Sequence, residues 1–212
     1  GIFLQNFKKF NHLGVEPSKN VCQISKSKKL NVVNSFFNKK LINQKKLKNN
    51  FDVIFAANVI CHIPDIITLF KNIELSLKDN GVFIFEEPYL GDVIEKTSYD
   101  QIYDEHFYLF SVNAISSIIK NLNLEVFNAE RIPTHGGSVR YYIQKKGVRK
   151  KTKKLIEILD YENKIKLTNI NTIKNFAKKC ILSKKKILQT IKKLNHKKIK
   201  VYGYGATSKS TT

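Results

Sequence analysis

The chain of 212 residues contains no methionine, even at its first position. It opens on Gly1 and closes on "VYGYGATSKSTT", where a strand-like stretch and a Gly-rich turn have no helix behind them. That pattern predicts a fragment, cut at both ends. No run of about 20 apolar residues is present, so no transmembrane helix is expected. The opening "GIFLQNFKKF" lacks the basic segment, apolar centre and small-residue cleavage site of a signal peptide. Cysteines are few: Cys22, Cys61 and Cys180 are odd in number and widely spaced. They fit neither a disulfide framework nor a paired-cysteine metal motif, and a reducing cytoplasm is the natural setting. Arginine, the usual reader of base edges, is confined to Arg131, Arg140 and Arg149.

What is abundant is lysine. With 38 basic against 17 acidic residues the net charge is +21. Such an excess can serve nucleic acid or an anionic surface. Here it is spread along the whole chain with asparagine and isoleucine, the mixture an AT-rich coding sequence produces whatever the function. Composition therefore argues against a nucleic-acid partner, and no membrane partner is expected. A hydrophobic fraction of 42% suits a globular protein.

Helical and strand-like segments alternate. Residues 2–11 read as a helix. "HLGVEPS" reads as a strand ending at Glu16, with Pro17 and Ser18 opening the next helix. "LNVVN" is a brief strand. "FDVIFAANVI" and "GVFIFEEPYL" read as strands buried on both faces. Between them Ile66, Ile67, Leu69, Phe70, Ile73 and Leu77 recur at helical spacing, and Gly81 is expected to cap that helix in the left-handed conformation. "LEVFNAERI" and "GSVRYYIQKK", joined by "PTHGG", read as an antiparallel pair. The order predicts an α/β fold: a mostly parallel, doubly wound Rossmann-like sheet ending in an antiparallel hairpin. From Val148 to Lys198 lysine-rich amphipathic helix takes over, with Leu155, Ile158, Leu159, Ile173, Phe176, Ala177 and Ile181 along its stripe. Then "KIKVYGYGATSK" starts a new strand and turn, like the first unit of a second Rossmann-like domain.

Ligands of such sheets bind beyond the carboxyl ends of the strands. Glu16 ends one strand, and a carboxylate there can accept hydrogen bonds from both hydroxyls of a ribose. Asn58 ends the next buried strand, followed by Cys61 and His62. Glu86, Glu87 and Tyr89 close the strand after that, and alternation lets only one of the two glutamates face the cleft. "TSYDQIYDEHFYLF" follows and can fold back over the cleft. If residues 99–107 are helical, Tyr99, Tyr103 and His106 share a face, flanked by Asp104 and Glu105. His135, Gly136 and Gly137 occupy the hairpin turn. A zinc site from His62, His106 and His135 has the right residue type but no helical pairing to support it. Gly203, Gly205 and Lys209 form a candidate phosphate cradle.

The ordered motifs "GVEPS", "FAANVICHIPD", "FEEPYLGD", "SYDQIYDEHF", "PTHGGSVRYY" and "GYGATSKS" resemble the nucleotide-sugar C-methyltransferases along the whole chain. The resemblance implies a class I methyltransferase domain over residues 1–147, lacking its first strand and most of its glycine loop, of which Gly1 is the last remnant. It implies a helical linker over 148–197 and the truncated start of a C-terminal domain over 198–212, with the family's C-methyltransferase region over 92–212. S-adenosylmethionine is the implied cofactor, with Glu16 on its ribose and Asn58 near its methionine part. No metal is implied in this segment; zinc belongs to an N-terminal domain of the family that this chain lacks. The implied substrate is a nucleotide-linked keto-deoxysugar, methylated on carbon through an enolate. His62, Tyr103, Glu105 and His106 match the polar set around the sugar. His106 is the expected base, Tyr103 and His62 polarise or orient the keto oxygen, and Glu105 holds a histidine tautomer. Glu87, Tyr89, His135, Gly136, Gly203, Gly205 and Lys209 are further candidate substrate contacts. With the cofactor loop incomplete, S-adenosylmethionine binding by this chain is expected to be weak or absent. The alternatives are methyl transfer to oxygen or nitrogen of another small molecule, and a basic nucleic-acid-binding module without catalysis.

Overall fold

In the computed structural model, which describes residues 2–203, a parallel pair and a four-stranded sheet carry helices between their strands. The chain opens with α1 (Ile2–Gln5), β1 (Gly14–Val15), α2 (Lys19–Ser27), β2 (Val32–Val33) and α3 (Lys39–Gln44). The predicted helix over 2–11 is thus only a short turn of helix. β1 and β2 pair in parallel.

The main sheet begins with β3 (Phe51–Ala57), followed by α4 (Ile66–Ser76) and β4 (Leu77–Pro88). Next come α5 (Leu90–Lys96), α6 (Val112–Ile118), β5 (Leu124–Ile132) and β6 (Ser138–Lys145). The strand order is β3-β4-β6-β5, parallel between β3 and β4 and antiparallel beyond. The hairpin therefore inserts its second strand beside β4.

Two expectations for this region are corrected. β3 is not buried on both faces: it is an edge strand among the described residues, and Val53 is 57% exposed. Gly81 does not cap α4. That helix ends at Ser76, Leu77 already pairs with Phe51, and an irregularity in the ladder absorbs the residues up to Val82. Gly81 lies inside β4, where a Cβ would meet the Phe51 carbonyl at 2.8 Å. Close backbone approach, not a left-handed turn, is what calls for glycine there.

The core packs α4, α6 and α7 (Lys153–Lys164) against the sheet. Phe85 sits at its centre, stacked on Tyr141 at 4.5 Å between centroids and meeting Phe70 and Phe110 edge-on. Burying such a ring contributes about 1.5–3 kcal/mol. Sequence logic is visible in the caps: Asp65 accepts from the Thr68 N–H at the start of α4, and Ser111 from the Ala114 N–H at the start of α6. The lysine-rich segment forms α7 and α8 (Ile170–His196). Leu155, Ile158 and Phe176 are buried, whereas Ile181 farther along α8 is exposed. No helix among the described residues is long and apolar enough to cross a membrane. The expected strand of 198–212 is not formed over Ile199–Gly203, and the rest of that segment lies outside the described residues.

Candidate active site

β3 and β4 run parallel, so their carboxyl ends open on the same rim. Asn58 follows β3 in the left-handed conformation (φ 52°), its N–H donating to the Glu86 carbonyl at 2.9 Å. The chain then makes a tight 3-10 turn over Ile60–His62. Glu87 of β4 holds that turn. Its Oε1 accepts the N–H groups of Val59, Ile60 and Cys61 at 3.0, 2.6 and 3.3 Å. Glu87 is fully buried, and this corrects its assignment to the substrate: it supports the turn that bears His62. Burial raises its pKa above the ordinary carboxylate value, against the lowering by Cys61 and the three N–H groups. The other glutamate, Glu86, pairs with Arg140 across the sheet.

Tyr89 is corrected in the same way. It is completely buried, and its hydroxyl donates to Glu162 of α7 at 3.1 Å. Its ring belongs to the core, out of reach of a substrate.

The segment after α5 crosses back over the rim. It is not the helix over 99–107 that its spacing allowed: a 3-10 turn spans Tyr99–Gln101 and irregular chain follows. It is tied down by the Phe107 N–H on the Cys61 carbonyl at 2.9 Å and by the Tyr108 hydroxyl on the Pro64 carbonyl. The crossing brings three functional groups together. His106 and His62 have ring centroids 5.0 Å apart, and Tyr103 lies over His106 at 4.1 Å.

Both imidazoles are oriented by backbone. His62 Nδ1 donates to the Glu105 carbonyl at 2.7 Å, and His106 Nδ1 to the Gln101 carbonyl at 2.9 Å. A carbonyl only accepts, so each ring carries a proton on Nδ1, and in the neutral imidazole the lone pair is then on Nε2. The contact from Glu105 to a histidine runs through its main-chain carbonyl, while its carboxylate is exposed. Desolvation raises the Tyr103 pKa, helped by the negative potential of Cys61, Glu105 and Glu87, so the phenol keeps its proton as a donor.

Gln101 and Cys61 lie inside the quoted motifs but were not among the expected site residues, and both reach the site. Gln101 is buried, and its amide donates to the His135 carbonyl at 3.1 Å while its own carbonyl orients His106. The "PTHGG" turn thereby reaches the site through Gln101. The His135 side chain is exposed and does not join the other histidines. Instead Cys61, His62 and His106 bring one ligand atom each to within 4.8 Å of one another. Gly136 and Gly137 take positive φ angles of 82° and 136°, and Lys96 donates to the Gly136 carbonyl.

Glu16, at the end of β1, accepts the Ser18 N–H at 2.8 Å, which anchors its carboxylate at the start of α2. Gly203 is exposed, and among the described residues nothing lies where a Cβ would stand. Gly1, Gly205 and Lys209 lie outside the described residues.

Comparison with solved structures gives the same fold. The PH0226 protein of Pyrococcus horikoshii superposes with a TM-score of 0.53 at 17% identity, covering 68% of this chain and 76% of that one. An S-adenosylmethionine-dependent methyltransferase of Anabaena variabilis gives 0.51 at 13% identity, over 68% and 71% of the two chains. The C-methyltransferase NovU of Streptomyces niveus is 23% identical over 128 residues, 60% of this chain but only 30% of that protein. A family model described as a C-methyltransferase C-terminal domain matches residues 133–212. Since the model described as a methyltransferase domain matches residues 1–129, more than half of the chain, the chain belongs to the methyltransferase-domain family.

Proposed function

We propose that the chain is the core of an S-adenosylmethionine-dependent C-methyltransferase acting on a nucleotide-linked keto-deoxysugar. The observation that carries this reading is the convergence of His62, Tyr103 and His106 at the carboxyl end of β3 and β4. Carbon must first be made nucleophilic, and that task needs a base and an oxyanion donor side by side.

His106 is the base. Its Nδ1–H is tied to Gln101, so Nε2 takes the proton from the carbon beside the ketone. The electron pair left behind moves onto the keto oxygen as an enolate. Tyr103, kept protonated by its surroundings, donates to that oxygen. His62 lines the same space and orients the substrate. S-adenosylmethionine, when bound, would supply an electrophilic methyl group to the enolate carbon, its S–CH3 bond breaking and its sulfur leaving as the neutral thioether. The residues present fit that cofactor: Glu16 offers an anchored carboxylate to a ribose diol, and Asn58 stands exposed at the end of β3, where the methionine part is expected. Methyl transfer itself requires alignment and exclusion of water. The name of the C-methyltransferase relative, with the C-terminal domain match, supports carbon as the acceptor.

The test follows the acidic proton and the methyl group. A full-length homologue with the same "CHIP" and "YDEHF" motifs is given a nucleotide-linked keto-deoxysugar in deuterium oxide, with isotope-labelled S-adenosylmethionine. Exchange beside the ketone and label on that carbon are expected. Label on oxygen or nitrogen overturns the reading in favour of another methyltransferase.

A further inference from the structure

We infer that Cys61, His62 and His106 form a binding site for one divalent cation of the zinc class, with three protein ligands and an open fourth position. Their ligand atoms already lie within 4.8 Å of one another. Zinc holds nitrogen at about 2.0–2.1 Å and sulfur at about 2.3 Å, so tetrahedral ligands stand about 3.5 Å apart. Closing onto a cation therefore asks for a contraction of about 1 Å, which side-chain rotation can supply.

The surroundings match a metal site in a second, independent way. Ligating histidines commonly give their non-ligating N–H to a carbonyl or carboxylate, which fixes the tautomer and aims the other nitrogen at the ion. Both rings here do so, His62 on the Glu105 carbonyl and His106 on the Gln101 carbonyl. The bearing segments are also held. Glu87 clamps the turn carrying Cys61 and His62, and the His106 N–H donates to the Tyr103 carbonyl. One sulfur and two imidazole nitrogens select zinc or cobalt over magnesium or calcium, which prefer oxygen. Coordination requires the Cys61 thiol to lose its proton, which burial and the neighbouring Glu87 oppose by raising its pKa, so only an ion that binds thiolate strongly can hold there.

The methyl transfer proposed above needs no metal. A cation here would take up the Nε2 lone pair of His106 and stop it accepting a proton, so zinc would act as an inhibitor. That consequence rests on His106 being the base; the binding does not.

Cobalt(II) is the probe, because thiolate ligation gives it an intense charge-transfer absorption. The 212-residue chain is titrated in a Cys22→Ser, Cys180→Ser background, leaving Cys61 as its thiol. A charge-transfer band saturating at one equivalent is expected. Cys61→Ser should abolish it, and His62→Ala or His106→Ala should weaken cobalt binding more than about tenfold. Circular dichroism checks the fold of each variant. No band in the background protein, or a band that survives Cys61→Ser, overturns the proposal. Should Cys61→Ser fail to fold, the histidine variants decide, and unchanged cobalt affinity in both overturns it. The readout is absorbance of the bound ion, so a failed methylation assay leaves it standing.

Discussion

Glu87 accepts the backbone N–H of Ile60 at 2.6 Å, across 27 positions of sequence, and so joins β4 to the turn that presents His62. Glu87→Ala would leave the N–H groups of Val59, Ile60 and Cys61, the last two of them buried, without their acceptor. A loss of about 3 kcal/mol is expected, read as a lower urea midpoint. Glu87→Gln keeps one acceptor oxygen and should lose less.

The same residue sets a pH dependence. Burial raises the Glu87 pKa, so the folded chain holds that proton more tightly than the unfolded chain. Stability from this group is therefore present below the ordinary carboxylate value and falls as pH rises through the raised folded value. Urea midpoints of wild type and Glu87→Gln, measured in chelator so that no cation competes, should diverge in favour of Gln as pH rises across that window. Parallel curves would show that Glu87 does not titrate there.

His106→Ala should lower solvent exchange of the sugar's acidic proton by about 10²–10⁴-fold, the usual worth of a general base. Tyr103→Phe removes the oxyanion donor and should cost about 10²–10³ in kcat with a smaller change in KM. Both are measured in the full-length homologue. Normal exchange in His106→Ala would move the base elsewhere.

Glu162 ties α7 to the sheet and to α6. Its carboxylate accepts the Tyr89 hydroxyl, the Val112 and Asn113 N–H groups and the Asn113 amide. Glu162→Ala orphans these partners, two of them fully buried, and should destabilise by about 3 kcal/mol or more. Thermal unfolding of this variant beside wild type checks the figure.

The two glycines of the "PTHGG" turn should separate cleanly. A Cβ at Gly137 would run into the Asp92 side chain, which is buried and ion-paired with Arg131 and Lys96. At Gly136 a Cβ would meet no described residue within 4 Å. Gly136→Ala then costs only its left-handed backbone, about 1–2 kcal/mol, while Gly137→Ala adds the clash and should unfold at a clearly lower denaturant concentration.

Periodicity read well wherever a segment's neighbours are local or repetitive. The spacing of Ile66, Leu69, Phe70 and Ile73 marks α4, and those side chains are buried as it requires. The two apolar runs around "PTHGG" form the antiparallel pair, because a short Gly-containing turn leaves few other pairings. It misled where the partner was far away or missing. "FDVIFAA" is apolar enough for a central strand, yet lies at an edge among the described residues.

Residue types and order were enough to nominate His62, Tyr103 and His106, through motifs that survive without coordinates. Their convergence was a matter of tertiary structure: the segment bearing Tyr103 and His106 is irregular, so no period in its sequence predicts where its side chains point. The demotion of Glu87 and Tyr89 to structural work, and the arrival of Cys61 and Gln101 in the site, were decided there too. Burial and hydrogen bonding belong to pairs, and the partners that decided these cases, Ile60 for Glu87 and Glu162 for Tyr89, lie 27 and 73 positions away along the chain.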